Sequence, residues 1–184
     1  MSRPAQGARA VVALSIALAT SSCVTEKAQP EAPPEPSPVE AKGNPVFFAF
    51  EASDGKPLTA DSLRGRVTVI GLATTYDFAS QAEARFLAGI ARHHVPRVNV
   101  ALLILEPPDA RPLVEAFAHT LDLPYPVALV DAATTAGQGP FPGLRQVPSV
   151  VVLDPLGREV YRHVGLVEEQ PLEKAIREVE ALSR

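Results

Sequence analysis

Two stretches of this chain, RVTVIGLA at 66–73 and VNVALLIL at 98–105, are almost continuously apolar and rich in β-branched residues. A strand with one wet face alternates polar and apolar side chains with a period of two. These runs do not alternate, so each reads as a strand covered on both sides. That is the situation of inner strands in an α/β sheet, where crossover helices hide the faces. The chain between them must then supply a helix.

It does so by spacing. Ser80 and Glu83 stand in the S-x-x-E pattern of a capping box, and Ala82, Phe86, Leu87 and Ile90 follow at helical intervals to about His93, before Pro96. PPDARPLVEAFAHTLDL, 107–123, is a second helix with proline at its start, and YPVALVD, 125–131, is a strand. AATTAGQGPFPGLRQ, 132–146, is dense in Gly and Pro and reads as a loop, with Phe141 either an exposed anchor, a lid or part of an untidy surface. PSVVVLD, PLG and REVYRHVG make a strand, a turn and its hairpin partner. The last helix, from 167 onward, places Leu172, Ile176, Val179 and Leu182 on one face. Upstream, PVFFAFEAS at 45–53 is a strand closed by SDGKP, and TADSLRG is a short helical turn stopped at Gly65. The order predicts an α/β domain with a central, mostly parallel sheet, an antiparallel C-terminal hairpin and helices on both faces.

The first 45 residues are different. Arg3 and Arg9 precede the short apolar run VVALSIALA, which is too short to span a bilayer as a helix. With the small residues TSSC after it, residues 1–22 read as a secretory signal. Ending on Cys23, this signal resembles that of bacterial lipoproteins, which implies lipidation of Cys23, a cell-envelope location facing the periplasm or the exterior, and a membrane partner. Val24 stands where an aspartate would retain such a protein at the inner membrane, which points to the outer one if the cell has two. The alternative is cleavage after Ala17–Ala19, an A-x-A site, leaving a soluble protein with a free Cys23. Residues 23–45 are rich in Pro and Glu and form a tether with too little apolar surface to fold. The folded domain is expected over 46–184. A net charge of −4 and the lack of any basic run exclude nucleic acid as a partner.

FEASDGKPLTADSLRGRVTVIGLAT, from Phe50, and QVPSVVVLDPLGREVYRHVG, from Gln146, resemble two long stretches of the thioredoxin-like domains of the TlpA and alkyl hydroperoxide reductase (redoxin) type. The resemblance covers nearly all of 46–183. It implies a thioredoxin-like fold and, in ordinary members, thiol–disulfide or peroxidase chemistry at a pair of cysteines. Aligning SQAE with the family's CRAE puts Asp77 and Ser80 at those positions. The chemistry needs a low-pKa thiolate at a helix amino terminus. Neither serine nor aspartate supplies one, and the single cysteine of the chain is Cys23.

Ser80 as a hydrolytic nucleophile lacks the G-x-S-x-G setting. His93, His94, His119 and His163 show no metal-ligand spacing, and no cofactor is implied. The resemblance makes Pro148 the cis-proline that faces the corner, with Val147 pairing its backbone to an extended peptide. Tyr76 and Phe78 would lie beside it, as contact surface or as core plugs. The expectation is a membrane-tethered, redox-inactive module that docks an envelope protein or peptide at Tyr76, Phe78, Val147 and Pro148. The alternatives are an oxidoreductase of the family's kind and an inert structural lipoprotein.

Overall fold

The computed structural model describes residues 43–183. Cys23, the signal and most of the tether lie outside the described residues. The chain joins the fold at Val46, whose N–H donates to the Gly157 carbonyl at 2.8 Å.

Five strands make the main sheet. β3 (Val67–Ala73), β4 (Val98–Ile104) and β5 (Val127–Leu129) are parallel neighbours. β6 (Ser149–Leu153) runs antiparallel to β3 on its other side, and β7 (Glu159–Val164) antiparallel to β6, giving the order β5-β4-β3-β6-β7. Both inner runs are buried along their length, as their lack of alternation requires. Val69, Leu102, Ile104, Val150 and Val152 belong to one core, and Ile70, Leu72, Leu103, Val151 and Leu153 to the other.

Helices α1 (Phe78–His94) and α4 (Glu169–Leu182) supply the first core with Ala84, Leu87, Leu172 and Ile176. Gly71 lets α1 come close. A Cβ there would lie 2.6 Å from Leu87 Cδ1 and 2.7 Å from Leu102 Cδ1. Helix α2 (Arg111–Thr120) packs at the β5 edge through Val114 and Phe117.

Several expectations need correction. The N-terminal strand is only β1 (Ala49–Glu51), and it pairs with β2 (Pro57–Thr59) in a separate hairpin that touches the main sheet by the Ala52–Ala128 bridge. The reason is local: the Ser53–Lys56 turn folds the chain back at once, so Pro57 onward pairs rather than coils. The Gly/Pro-rich loop opens with a helical turn, α3 (Ala132–Thr135), because the Asp131 carboxylate caps it by accepting from Thr134 N–H at 2.7 Å. Phe141 is neither anchor nor lid. It is buried in the second core, its ring centroid 6.2 Å from that of Phe48. Leu182 is 76% exposed, since the final turn of α4 runs past the sheet, and Ala82 is exposed on the outer side of α1.

Candidate functional site

The sheet register brings the corner together. Leu72 is opposite Ser149, so the chain leaves β3 through Ala73 and Thr74 where Val147 and Pro148 enter β6. Ala73 is also opposite Ile104, so Glu106 emerges beside Thr75. The Val147–Pro148 bond is cis. Gly165, just after β7, donates its N–H to the Pro148 carbonyl at 2.8 Å, which ties a third segment to the same place.

Asp77, not Ser80, caps α1. Its two carboxylate oxygens accept from Ala79 N–H at 3.3 Å and Ser80 N–H at 2.8 Å. The bond from the Ser80 amide holds the Asp77 carboxyl below the usual carboxylate range. Ser80 already lies in the first turn and is fully buried, where its Oγ accepts from Thr74 N–H at 3.2 Å. The expected capping box is therefore absent. Ser80 and Glu83 have its spacing, but that spacing also describes an inward stripe. They share the buried face of Ala84, Leu87 and Ala91.

The turn is sewn together by polar contacts. The buried Glu106 carboxylate accepts from Thr75 N–H, and Gln81 Nε2 donates to the Thr75 carbonyl at 3.3 Å. Glu106 was not legible as a site residue, because LEPPD reads only as the end of a strand. Thr74 Oγ1 is buried without a partner among the described residues. The resulting corner offers a polar turn with no cysteine among the described residues, and no histidine or lysine among them bonds the buried Ser80 hydroxyl.

Around this turn the surface is apolar. Tyr76 is 77% and Phe78 86% exposed, so neither plugs the core. Val147 is half-buried and Pro148 buried. No hydrogen bond engages the Val147 backbone among the described residues. Val164 and Leu166, on either side of Gly165, are exposed as well, and sequence reading had missed both. Their signal was faint: an apolar residue at each side of the glycine that ends a strand. A groove of about 910 Å³ lies elsewhere, between the β1–β2 hairpin and the α2–β5 connection, and includes none of these residues.

Beneath the corner lies Glu83, fully buried in α1. Its Oε2 accepts from Val167 N–H at 3.1 Å, and its Oε1 has no partner among the described residues. Burial pushes its carboxyl up to about 7, with the Val167 bond opposing that rise only in part.

No family model matches the chain, and no curated protein sequence does. Solved structures do. A thiol:disulfide interchange protein of the thioredoxin family from Chlorobium tepidum is 18% identical with a TM-score of 0.64, covering 75% of this chain and 97% of that one. A DsbF homologue from Corynebacterium diphtheriae is 18% identical at 0.62, covering 78% and 87%. A secreted Mycobacterium tuberculosis disulfide oxidoreductase, homologous to Escherichia coli DsbE, is 17% identical at 0.57, covering 73% and 95%. With the sheet order and the C-terminal hairpin in place, these likenesses establish that the described residues form a thioredoxin-like fold.

Proposed function

We propose that this protein is a redox-inactive docking module that binds an extended segment of an envelope protein or peptide at the corner between the Thr74–Ser80 turn and Val147–Pro148. One observation carries the reading. Among the described residues the Val147 backbone is unpaired, the turn exposes Tyr76 and Phe78, and the segment bound to Pro148 exposes Val164 and Leu166, while Asp77 and Ser80 stand where exchange chemistry needs sulfur. An extended peptide uses backbone hydrogen bonds for affinity and neighbouring pockets for side-chain choice. Aromatic residues are enriched where such surfaces bind.

Thiol–disulfide exchange is the second reading, favoured by the activity named for the three structures above. It requires an attacking thiolate, and the only cysteine, Cys23, belongs to the segment read as lipid anchor and tether. Lipidation of Cys23 would hold the domain at the membrane on its proline-rich arm. No helix among the described residues is long and apolar enough to cross a membrane.

Site-specific photocrosslinking tests the docking reading. A crosslinker at Leu166 should give discrete adducts in the cell envelope that disappear in the Tyr76→Ala, Phe78→Ala double variant. A crosslinker at Leu113, also exposed and on α2, should not give them. Adducts that survive the double variant exclude the corner as the site. Reduction of insulin by the purified protein should stay at the uncatalysed rate, and clear turnover would overturn the redox-inactive reading. Cys23→Ser should release the protein from the membrane fraction.

A further inference from the structure

Phe47 is an exposed ring just before β1, and Arg64 lies over it with Cζ 5.3 Å from the ring centroid. The same guanidinium reaches Asp61, Nε to Oδ1 at 3.1 Å. One arginine thus covers a ring and neutralises a carboxylate at once, because a ring face and a carboxylate both attract a cation. Tyr76 and Phe78 are more exposed than Phe47. Among the described residues no cation lies over either of them.

The corner holds the same parts without the cation. Asp77 is extended, with φ −95° and ψ 129°, so Tyr76 and Phe78 leave the chain on one side, as alternate residues of a strand do. The Asp77 carboxylate accepts from two amides of α1, the weaker at 3.3 Å, and a carboxylate offers about four lone-pair sites. Glu106 sets a second carboxylate against the same turn through its bond from Thr75 N–H. Neither acid has an ion-pair partner among the described residues. Arg111, the nearest cation to Glu106 along the chain, is paired with Glu51 at 3.2 Å. Arg85, the nearest to Asp77 along the chain, stands about 12 Å farther along the α1 axis.

We propose that the segment docked at this corner carries an arginine, whose guanidinium lies over Tyr76 or Phe78 and offsets the charge of Asp77 and Glu106. This names the chemistry of the partner and rests on the docking reading given above. A purely apolar side chain could cover the rings but would leave both carboxylates uncompensated. An acidic one would meet like charge. Lysine supplies the charge but not the planar face that stacks on a ring.

Fluorescence anisotropy of labelled peptides with the full-length protein tests this. The probes are three peptides of one pattern, alternating valine with arginine, with lysine or with citrulline. Citrulline keeps the shape and planarity of arginine and lacks its charge. The arginine peptide should bind roughly tenfold more tightly than the citrulline one, with lysine between them. Its affinity should fall as ionic strength rises, because attraction between exposed charges is screened. Asp77→Asn keeps a capping residue and removes the charge, so it should weaken the arginine peptide several-fold and leave the citrulline peptide unchanged. Tyr76→Leu with Phe78→Leu keeps apolar surface and removes the rings, so the preference for arginine should vanish.

Equal affinity for the arginine and citrulline peptides overturns the inference, and so does a failure of the arginine peptide to bind. A preference that survives undiminished in either variant overturns the corner as its seat. The two proposals fail separately. Adducts at Leu166 that need Tyr76 and Phe78, without a preference for arginine, remove only the arginine. A preference lost in both variants, without adducts in the envelope, removes only the docking reading.

Discussion

Asp77 and Glu83 sit less than two turns apart on α1, one at its mouth and one on its underside, and the same functional group behaves in opposite ways. Asp77 meets water and two amide N–H groups, so its carboxyl is held low and remains an anion. Glu83 meets apolar side chains and one amide, so its carboxyl is pushed up. The mouth is thus a hydrogen-bonded polar turn that exposes Tyr76 and Phe78. The underside is core, and burial pushes the Glu83 carboxyl within it up to about 7. Environment rather than residue type sets the sign of each shift: hydrogen bonds from the first turn lower Asp77, and burial raises Glu83.

The largest test of this contrast is on the underside. Leu87→Ala removes a fully buried side chain between α1 and Gly71 and should cost about 2–5 kcal/mol in denaturant unfolding. Next is the pH dependence of stability. Glu83 binds its proton more tightly folded than unfolded, so it removes stability as pH rises from 4.5 to about 7, on the order of 3 kcal/mol at most. Subtracting the Glu83→Gln stability curve from that of wild type should isolate this slope, and two parallel curves would place Glu83 in a hydrated environment. At the mouth, Asp77→Ala should cost about 1 kcal/mol at neutral pH through loss of the cap. Because the Asp77 carboxyl is lowered on folding, that difference should shrink as pH falls through the acid range. Smallest are Tyr76→Ala and Phe78→Ala, which should change stability by no more than about 0.5 kcal/mol while abolishing crosslinked adducts. A large stability loss there would mean that the mouth also serves as core.

The inner strands were readable because burial on both faces leaves a mark in composition. The start of α1 was misread for an equally physical reason. Three-residue spacing cannot tell a cap from an inward face, and only the length of the turn after β3 decides. That turn ends at Asp77, which rotates Ser80 and Glu83 beneath the helix. Phe141 gave a comparable ambiguity. Proline and glycine on both sides mark a loop, but its burial depends on Phe48, more than ninety residues earlier.

From sequence alone follow the α/β class, the order of the inner strands and helices along the chain, the proline-rich arm and the absence of sulfur from residues 46–184. These rest on local chemistry: side-chain period, turn residues, composition. The tertiary structure alone decided that Glu106 closes the Thr75 turn, that Gly165 binds the Pro148 carbonyl, and that Glu83 reaches Val167. Each joins segments far apart in the chain, and such contacts are set by strand register and helix depth, which no local pattern encodes.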